Sequence, residues 1–277
     1  SLNDVGDLTY PYQSLDGQTQ TLNNIFEGTH EISKDIIESK KPVIIIGESL
    51  LRSKSSEFLF NRTKEFLIKN NKISDDWNSL NILSCDAATV GNFDLGVINN
   101  QNHLLNDLKE HKFDIVYLVG QDSLDFDKKD EFIIYQGSHG DKGAECADII
   151  LPGSAYTEQD GYFTNLEGKV QKAYKASYPP GEAKEDWQII NKLAEYMNNR
   201  KLFNDKDELE SSMFNYLNLQ KEKQINELNN SDKKFQSEKL IINVKDYYFS
   251  NVIARSSKTM IECNDSKIKL KFTGTEG

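Results

Sequence analysis

His139, Asp141, Glu145 and Cys146 lie close together in the chain and carry the donor atoms that bind zinc or iron. Their spacing is not that of a structural zinc site, which pairs its ligands as C-x₂₋₄-C or H-x₃₋₅-H. Beside Gly140 and Gly143, His139 and Asp141 read better as loop residues bonding backbone amides. A second group, Glu158, Asp160 and Glu167, offers carboxylates near a turn, the residue type that glycosidases pair for acid–base work. Glu167, between Leu166 and Gly168, is expected instead to close a tight turn or pair with a lysine. The G-x-S-x-G pattern of a nucleophile elbow does not occur. The aromatic run Tyr247-Tyr248-Phe249 reads as core or interface packing rather than a stacking platform. The chain is therefore expected to carry no catalytic residue and no metal site.

Two further positions invite a ligand. Gly47 and Gly120 each end an apolar run, where doubly wound folds place their ligands at the carboxyl ends of strands. The loops read Gly47-Glu48-Ser49 and Gly120-Gln121-Asp122-Ser123. A dinucleotide loop needs several glycines and free N–H donors aimed at a pyrophosphate. Here there is one glycine per loop, with Glu48, Asp122, Asp125 and Asp127 near by, whose charges repel an anion. Asp122 is expected to be a solvated loop carboxylate worth little to stability.

The elements that must position these residues follow from periodicity. Pro42–Gly47, Leu80–Ser84, Phe113–Gly120, Phe132–Tyr135 and Ala147–Leu151 are short apolar runs, expected as strands of a parallel sheet, the first of them buried on both faces. Helices are expected near Leu22–Phe26 and Ile32–Glu38, over Glu57–Lys69, and along a stripe of Leu104, Leu105 and Leu108. Tyr162–Gln171 reads as a polar hairpin turning at Glu167-Gly168-Lys169. Ala183–Asn198 is amphipathic, with Trp187, Ile190, Leu193, Ala194 and Met197 on one face. Residues 199–238 are charged and Asn-rich, read as helices with a weak core face and a loose link near Asn229–Ser237. Ser250 is placed to cap a last helix through Met260, with a frayed tail after Cys263. The expected fold class is α/β, a doubly wound, mostly parallel sheet with a helical carboxy-terminal extension. Its domains are expected at 1–181 and 182–277.

Composition limits the possibilities. A formal charge of -11 over 277 residues argues against nucleic acid or an anionic membrane surface as partner. Mean hydropathy is -0.63, and no run approaches the ~20 apolar residues that span a bilayer. Cys85, Cys146 and Cys263 are scattered and odd in number, which argues against a disulfide framework. No C-x₂-C run is present to ligate an iron–sulfur cluster. Ser1 opens the chain without Met or a basic leader, so processing or a fragment is expected.

Ala147-Asp148-Ile149-Ile150-Leu151-Pro152, then Glu158, Gly161, Asn165, Glu167-Gly168-Lys169 and Gln171, resembles the signature of the molybdopterin oxidoreductases. With Tyr135-Gln136-Gly137 and His139-Gly140-Asp141 ahead of it, the stretch is similar to one branch, the large iron–sulfur subunit of respiratory complex I. Val5-Gly6-Asp7-Leu8-Thr9-Tyr10, Pro179-Pro180-Gly181, Glu185-Asp186-Trp187, and Arg255 with Thr259-Met260 and Cys263 extend the resemblance over nearly the whole chain.

The resemblance implies a non-catalytic, molybdopterin-oxidoreductase-like part of that subunit. The holoenzyme it implies passes electrons from NADH to ubiquinone and pumps protons. The pterin-binding loops of cofactor-carrying relatives correspond to Gly47, Gly120 and His139, expected here to be vestigial. No cofactor is expected in this chain, and the iron–sulfur clusters and flavin are expected elsewhere in the complex. Implied partners are the iron–sulfur amino-terminal half of the subunit and other peripheral-arm subunits. The implied location is the matrix side of the mitochondrial inner membrane. The alternative is a fragment of an active molybdopterin enzyme such as a formate dehydrogenase.

Overall fold

The structure, a computed structural model, describes residues 1–6, 8–97, 104–124, 127–222, 234–242, 246 and 248–272. Asp7, Asp125, Tyr247 and the 229–233 part of the expected loose link lie outside the described residues. The chain forms two compact units, Ser1–Ala87 with the described part of Gln224–Val244, and Ala88–Lys223 with the described part of Lys245–Gly277. The expected boundary at 181/182 falls inside the second unit.

In the first unit, α1 (Thr19–Glu27) ends at Gly28, whose φ of 85° is the left-handed conformation that glycine adopts without strain. His30 opens α2 (Glu31–Glu38), its Nδ1 accepting from the Ile32 amide at 3.2 Å. Then follow β1 (Ile44–Gly47), the single turn α3 (Glu48–Leu51) and α4 (Ser56–Lys69). Ile25, Phe26 and Ile36 of the first two helices are buried against Phe66 and Leu67 of α4. Phe26 and Phe66 meet edge to face at 5.8 Å between ring centroids.

A two-stranded hairpin, β2 (Ile73–Ser74) and β3 (Trp77–Asn78), leads to β4 (Leu80–Leu83), which pairs parallel to β1 with Ile44 opposite Leu80. A remote segment completes this unit. The Thr19 amide donates to Glu238 O at 2.9 Å, the Gln236 amide donates to Ser55 Oγ at 2.8 Å, and Phe235 packs on Phe58.

The second unit begins with α5 (Thr89–Asp94) and α6 (Leu104–Lys109). A parallel sheet follows in the order β5 (Ile115–Val119), β6 (Phe132–Gly137), β7 (Ile149–Pro152), with α7 (Lys142–Glu145) between the last two. The antiparallel hairpin β8 (Gly161–Thr164) and β9 (Val170–Ala173) turns through Gly168 at φ 78°. Among the described residues four helices come after it: α8 (Asp186–Asn198), α9 (Lys206–Glu222), α10 (Val252–Ser256) and α11 (Lys258–Phe272).

Three expectations are corrected. The parallel strands are not covered evenly on both faces: Val43 and Ile45 of the first apolar run are exposed, and on β6 the face that carries exposed Phe132 also carries fully buried Gln136. Register puts Ile115, Phe132 and Ile149 on the same side of the β5–β6–β7 sheet, where they are exposed, while Leu118, Ile133 and Tyr135 are buried on the other. The α8 face is also only partly buried: Met197 is 74% exposed, and the buried residue of the helix is Asn191. Asn191 Oδ1 accepts from the Leu202 and Phe203 amides, so this polar residue ties down the turn that follows the helix. Finally, Asn251 rather than Ser250 caps α10, and the helical chain breaks at Ser257 and resumes to Phe272 instead of fraying after Cys263.

Candidate functional site

The carboxyl-end edge of β5–β6–β7 gathers Gly120, Asp122, Tyr135, Gly137 and Ser138 around a cavity of about 230 Å³. Gly120 turns the chain at φ 61°, and its amide is already engaged with Gln136 O at 2.8 Å. The Gly153 amide likewise donates to Gly137 O at 2.9 Å, so these donors do not face the edge free. Gly143 and Gly153 serve close approach rather than turning. A Cβ on Gly143 would lie 2.6 Å from Gln121 O and against the Tyr135 ring, and one on Gly153 would lie 2.9 Å from Asp186 Oδ1.

Asp122 is not solvated. Arg255 Nη2 donates to its Oδ1 at 2.7 Å, and Arg255 Nε donates to Asp141 Oδ2 at 2.8 Å. The side chains of Arg255, Asp122 and Asp141 are 27%, 17% and 25% exposed. A guanidinium presents its N–H groups as a planar fork, which suits it to bridge two carboxylates on separate loops. Burial opposes ionisation of Asp141, but the Lys142 amide and the Arg255 guanidinium outweigh it and hold the carboxyl below its ordinary range. Burial, reinforced by the Asp122 and Asp141 charges, raises the pKa of the nearby Tyr135 phenol.

A part-buried polar relay centred on Gln136 lies behind this edge. The side chain of Gln136, fully buried on β6, donates through Nε2 to Asp186 Oδ1 at 2.7 Å and accepts from the Tyr117 hydroxyl at 2.5 Å. Gln159 Nε2 donates to Asp186 Oδ2 at 2.9 Å. The sequence reading missed both the Arg255 fork and this relay. Gln136 did carry a signal, being an amide inside an apolar strand run that must find a partner when buried.

The other candidates separate in space. Among the described residues, no three His, Cys, Asp or Glu side chains could hold a metal ion. His139 Nδ1 lies 2.9 Å from Ser138 Oγ, and its carbonyl accepts from the Tyr135 hydroxyl at 3.0 Å. Cys146 packs beside Leu118, Ile133 and Tyr135, and burial pushes its thiol pKa up. Glu158 accepts from the Ala155 amide and Asp160 from the Lys175 amide. Closure of the hairpin falls to Asn165 rather than Glu167, since Asn165 Oδ1 accepts from the Glu167 and Lys169 amides at 3.0 and 2.9 Å. In the first unit, Glu48 beside Gly47 accepts from the Cys85 amide at 2.7 Å and from Arg52 Nη2 at 2.8 Å.

These residues do not fit a pterin dinucleotide. The edge presents carboxylates and engaged amides to a pyrophosphate, and the cavity is smaller than the ~300 Å³ lower bound of drug-sized ligand pockets.

Comparison with known proteins assigns the architecture. The model of the molybdopterin oxidoreductase family matches residues 1–196, and a model of the carboxy-terminal region of an NADH-ubiquinone oxidoreductase subunit matches residues 208–263. The chain is 34% identical over 281 residues to the NADH-ubiquinone oxidoreductase 75 kDa subunit of Reclinomonas americana, covering 95% of this chain and 40% of that protein. It is 36% identical over 273 residues to the mitochondrial 78 kDa subunit of the same enzyme in Candida albicans, covering 92% and 37%. With the mitochondrial NADH dehydrogenase [ubiquinone] iron-sulfur protein 1 of Solanum tuberosum the identity is 36% over 193 residues, covering 69% and 26%. The chain thus spans about two fifths of the length of the first two of these relatives.

Proposed function

The chain belongs to the molybdopterin oxidoreductase family, and on that premise we propose that it is a non-catalytic structural module of the large iron–sulfur subunit of respiratory complex I. The holoenzyme's electron transfer from NADH to ubiquinone, coupled to proton translocation, then runs through clusters and flavin held outside this chain. One observation carries the reading: at the strand-end edge, Asp122 and Asp141 are engaged by Arg255, and the Gly120 and Gly153 amides by neighbouring carbonyls. Such an edge has neither the donors nor the room for a pterin.

The module's work is to brace the peripheral arm and offer surfaces to neighbours. The exposed strip of Ile115, Phe132 and Ile149 supports the iron–sulfur amino-terminal half and other peripheral-arm subunits as partners. Obligate interfaces of this kind bury more than ~2,000 Å² and are rich in such side chains. Two relatives are a mitochondrial 78 kDa subunit and a mitochondrial iron–sulfur protein, which supports a mitochondrial location, and within it we place the module on the matrix side of the inner membrane. No described helix is long and apolar enough to cross it. Elemental analysis of the purified chain is the test. The expected result is no stoichiometric iron, molybdenum or tungsten, and a near-stoichiometric amount of any of them overturns the proposal.

A further inference from the structure

The strand-end edge of β5–β6–β7 is closed from the far end of the sequence. Asn251, Val252 and Ile253 line the same cavity as Gly120, Ser138 and Asp186. Asn251 Oδ1 caps α10 by accepting from the Ala254 amide at 3.0 Å, which fixes the direction in which the next turn leaves. That turn carries Arg255 to two loops of the sheet edge. Its guanidinium makes two bonds there, to Asp122 after β5 and to Asp141 at the start of α7, and a third within its own segment, to Phe249 O at 3.5 Å.

We infer that residues 248–257 are a strap in cis that shuts this edge, with Arg255 as its latch. Three observations converge on the strap. The two carboxylates belong to different loops, so one cation joining them locks both loops and the incoming segment together. They repel one another without it. The residues entering the cavity ahead of the latch, Val252 and Ile253, are apolar side chains set against the mouth of a parallel sheet, and both are half-buried. The backbone of the Asp122 loop is also held from its other side, since Asp122 O accepts from the Gly143 amide at 3.2 Å. The strap goes beyond the non-catalytic reading, which requires only that the edge take no cofactor, and states what closes it.

Hydrogen–deuterium exchange on the assembled complex tests the latch. In Arg255→Ala, amides in 120–124, 138–147 and 248–257 should exchange about tenfold faster, the scale expected when charge-assisted bonds are lost from a local opening. Amides in 44–51 should be unchanged. Arg255→Lys should fall between, because a single ammonium cannot span the fork. The double variant Asp122→Asn/Asp141→Asn should loosen 248–257 with Arg255 still present, an effect a merely bulky arginine would not produce. Wild-type exchange over 248–257 in both Arg255→Ala and the double variant overturns the strap. Failure of all three variants to assemble also overturns it, because the contact would then be needed by the whole fold rather than by this edge. Loss of NADH oxidation in an assembled, loosened variant would leave the strap standing and sink the non-catalytic reading, so the two fail separately.

Discussion

At the end of β1 the chain runs through Gly47 into Glu48, and the cation that answers this carboxylate, Arg52, is four residues away on the same turn. At the end of β5 it runs through Gly120 to Asp122, and the answering cation, Arg255, is 133 residues away. Both edges thus place an acid where a phosphate-binding loop would leave free amides, and both neutralise it. The local pair is held by a helical turn that forms in any case, with an arginine whose side chain is 62% exposed. The remote pair joins two loops and a distant segment, with side chains at most 27% exposed. The first closure costs little to lose. The second organises the unit that contains it.

The largest expected contrast is between two glycines. Gly143→Ala places a Cβ 2.6 Å from the Gln121 carbonyl and against the Tyr135 ring, while a Cβ at Gly47 meets nothing within 4 Å. Because the first obstacle is backbone, Gly143→Ala should destabilise by about 2–3 kcal/mol, and Gly47→Ala by less than about 0.5 kcal/mol. Thermal unfolding of the two variants beside the parent measures both. Equal costs would erase the difference between the edges.

The local side of this contrast was legible in the sequence, the remote side was not, and the limit is physical. The strands ending at Gly47 and Gly120, α4 and the hairpin turning at Gly168 come from short-range signals: apolar runs, helical spacing and turn residues. Glu48 and Arg52 lie one turn apart and could have been paired from spacing alone. Arg255 could not, because nothing within the local pattern of Asn251 to Ser257 names Asp122 or Asp141 as its target. The same holds for Thr19 and Glu238 in the first unit, a contact across 219 residues. Uneven burial escaped the reading for another reason. An apolar run reports that a strand is to be covered, but not on how many of its faces.

A substitution at Asp122 sharpens the comparison. Asp122→Asn removes the charge that Arg255 Nη2 meets at 2.7 Å in a partly buried site, and should cost about 1–2 kcal/mol. Glu48→Gln keeps an oxygen for the Cys85 amide and should cost less than about 0.5 kcal/mol. Unfolding midpoints in urea, with unchanged slopes, would register the gap, and a silent Asp122→Asn would return that residue to the status of a solvated carboxylate.

The opposite end of the β5–β6 sheet provides a pH control. Glu131, buried just before β6, accepts from the Lys129 amide at 2.8 Å and meets His111 Nδ1 at 2.5 Å. The Lys129 amide foremost, with the His111 contact adding to it, lowers its pKa from 4.5 to about 2. A carboxylate depressed in the folded state contributes stability that is fully present above 4.5 and is lost as pH falls towards about 2. Glu131→Gln should therefore melt below the parent at pH 7, and the gap should narrow between pH 4.5 and 2. A gap that stays constant over that window would mean that the carboxylate is not the group that titrates.

The smallest effect is expected at Arg52. Its side chain is 62% exposed, and its bond to Glu48 at 2.8 Å spans a single helical turn. Exposed pairs of this geometry contribute about 0.3–0.5 kcal/mol, because the gain from attraction is offset by the entropy of holding a long side chain and is screened by salt. Glu48 also keeps its bond from the Cys85 amide, so Arg52→Ala leaves no carboxylate without a partner. The variant should lose no more than about 0.5 kcal/mol at low ionic strength, and even that difference should vanish near 1 M salt. Arg255→Ala, measured in the same series, should keep most of its cost in salt, because its partners lie in a part-buried cleft where counterions screen poorly. Parallel melts of the two arginine variants across salt concentration decide whether closure by a neighbour and closure by a distant residue differ in kind. If both costs fall away together, Arg255 is another surface pair and the two edges are closed alike.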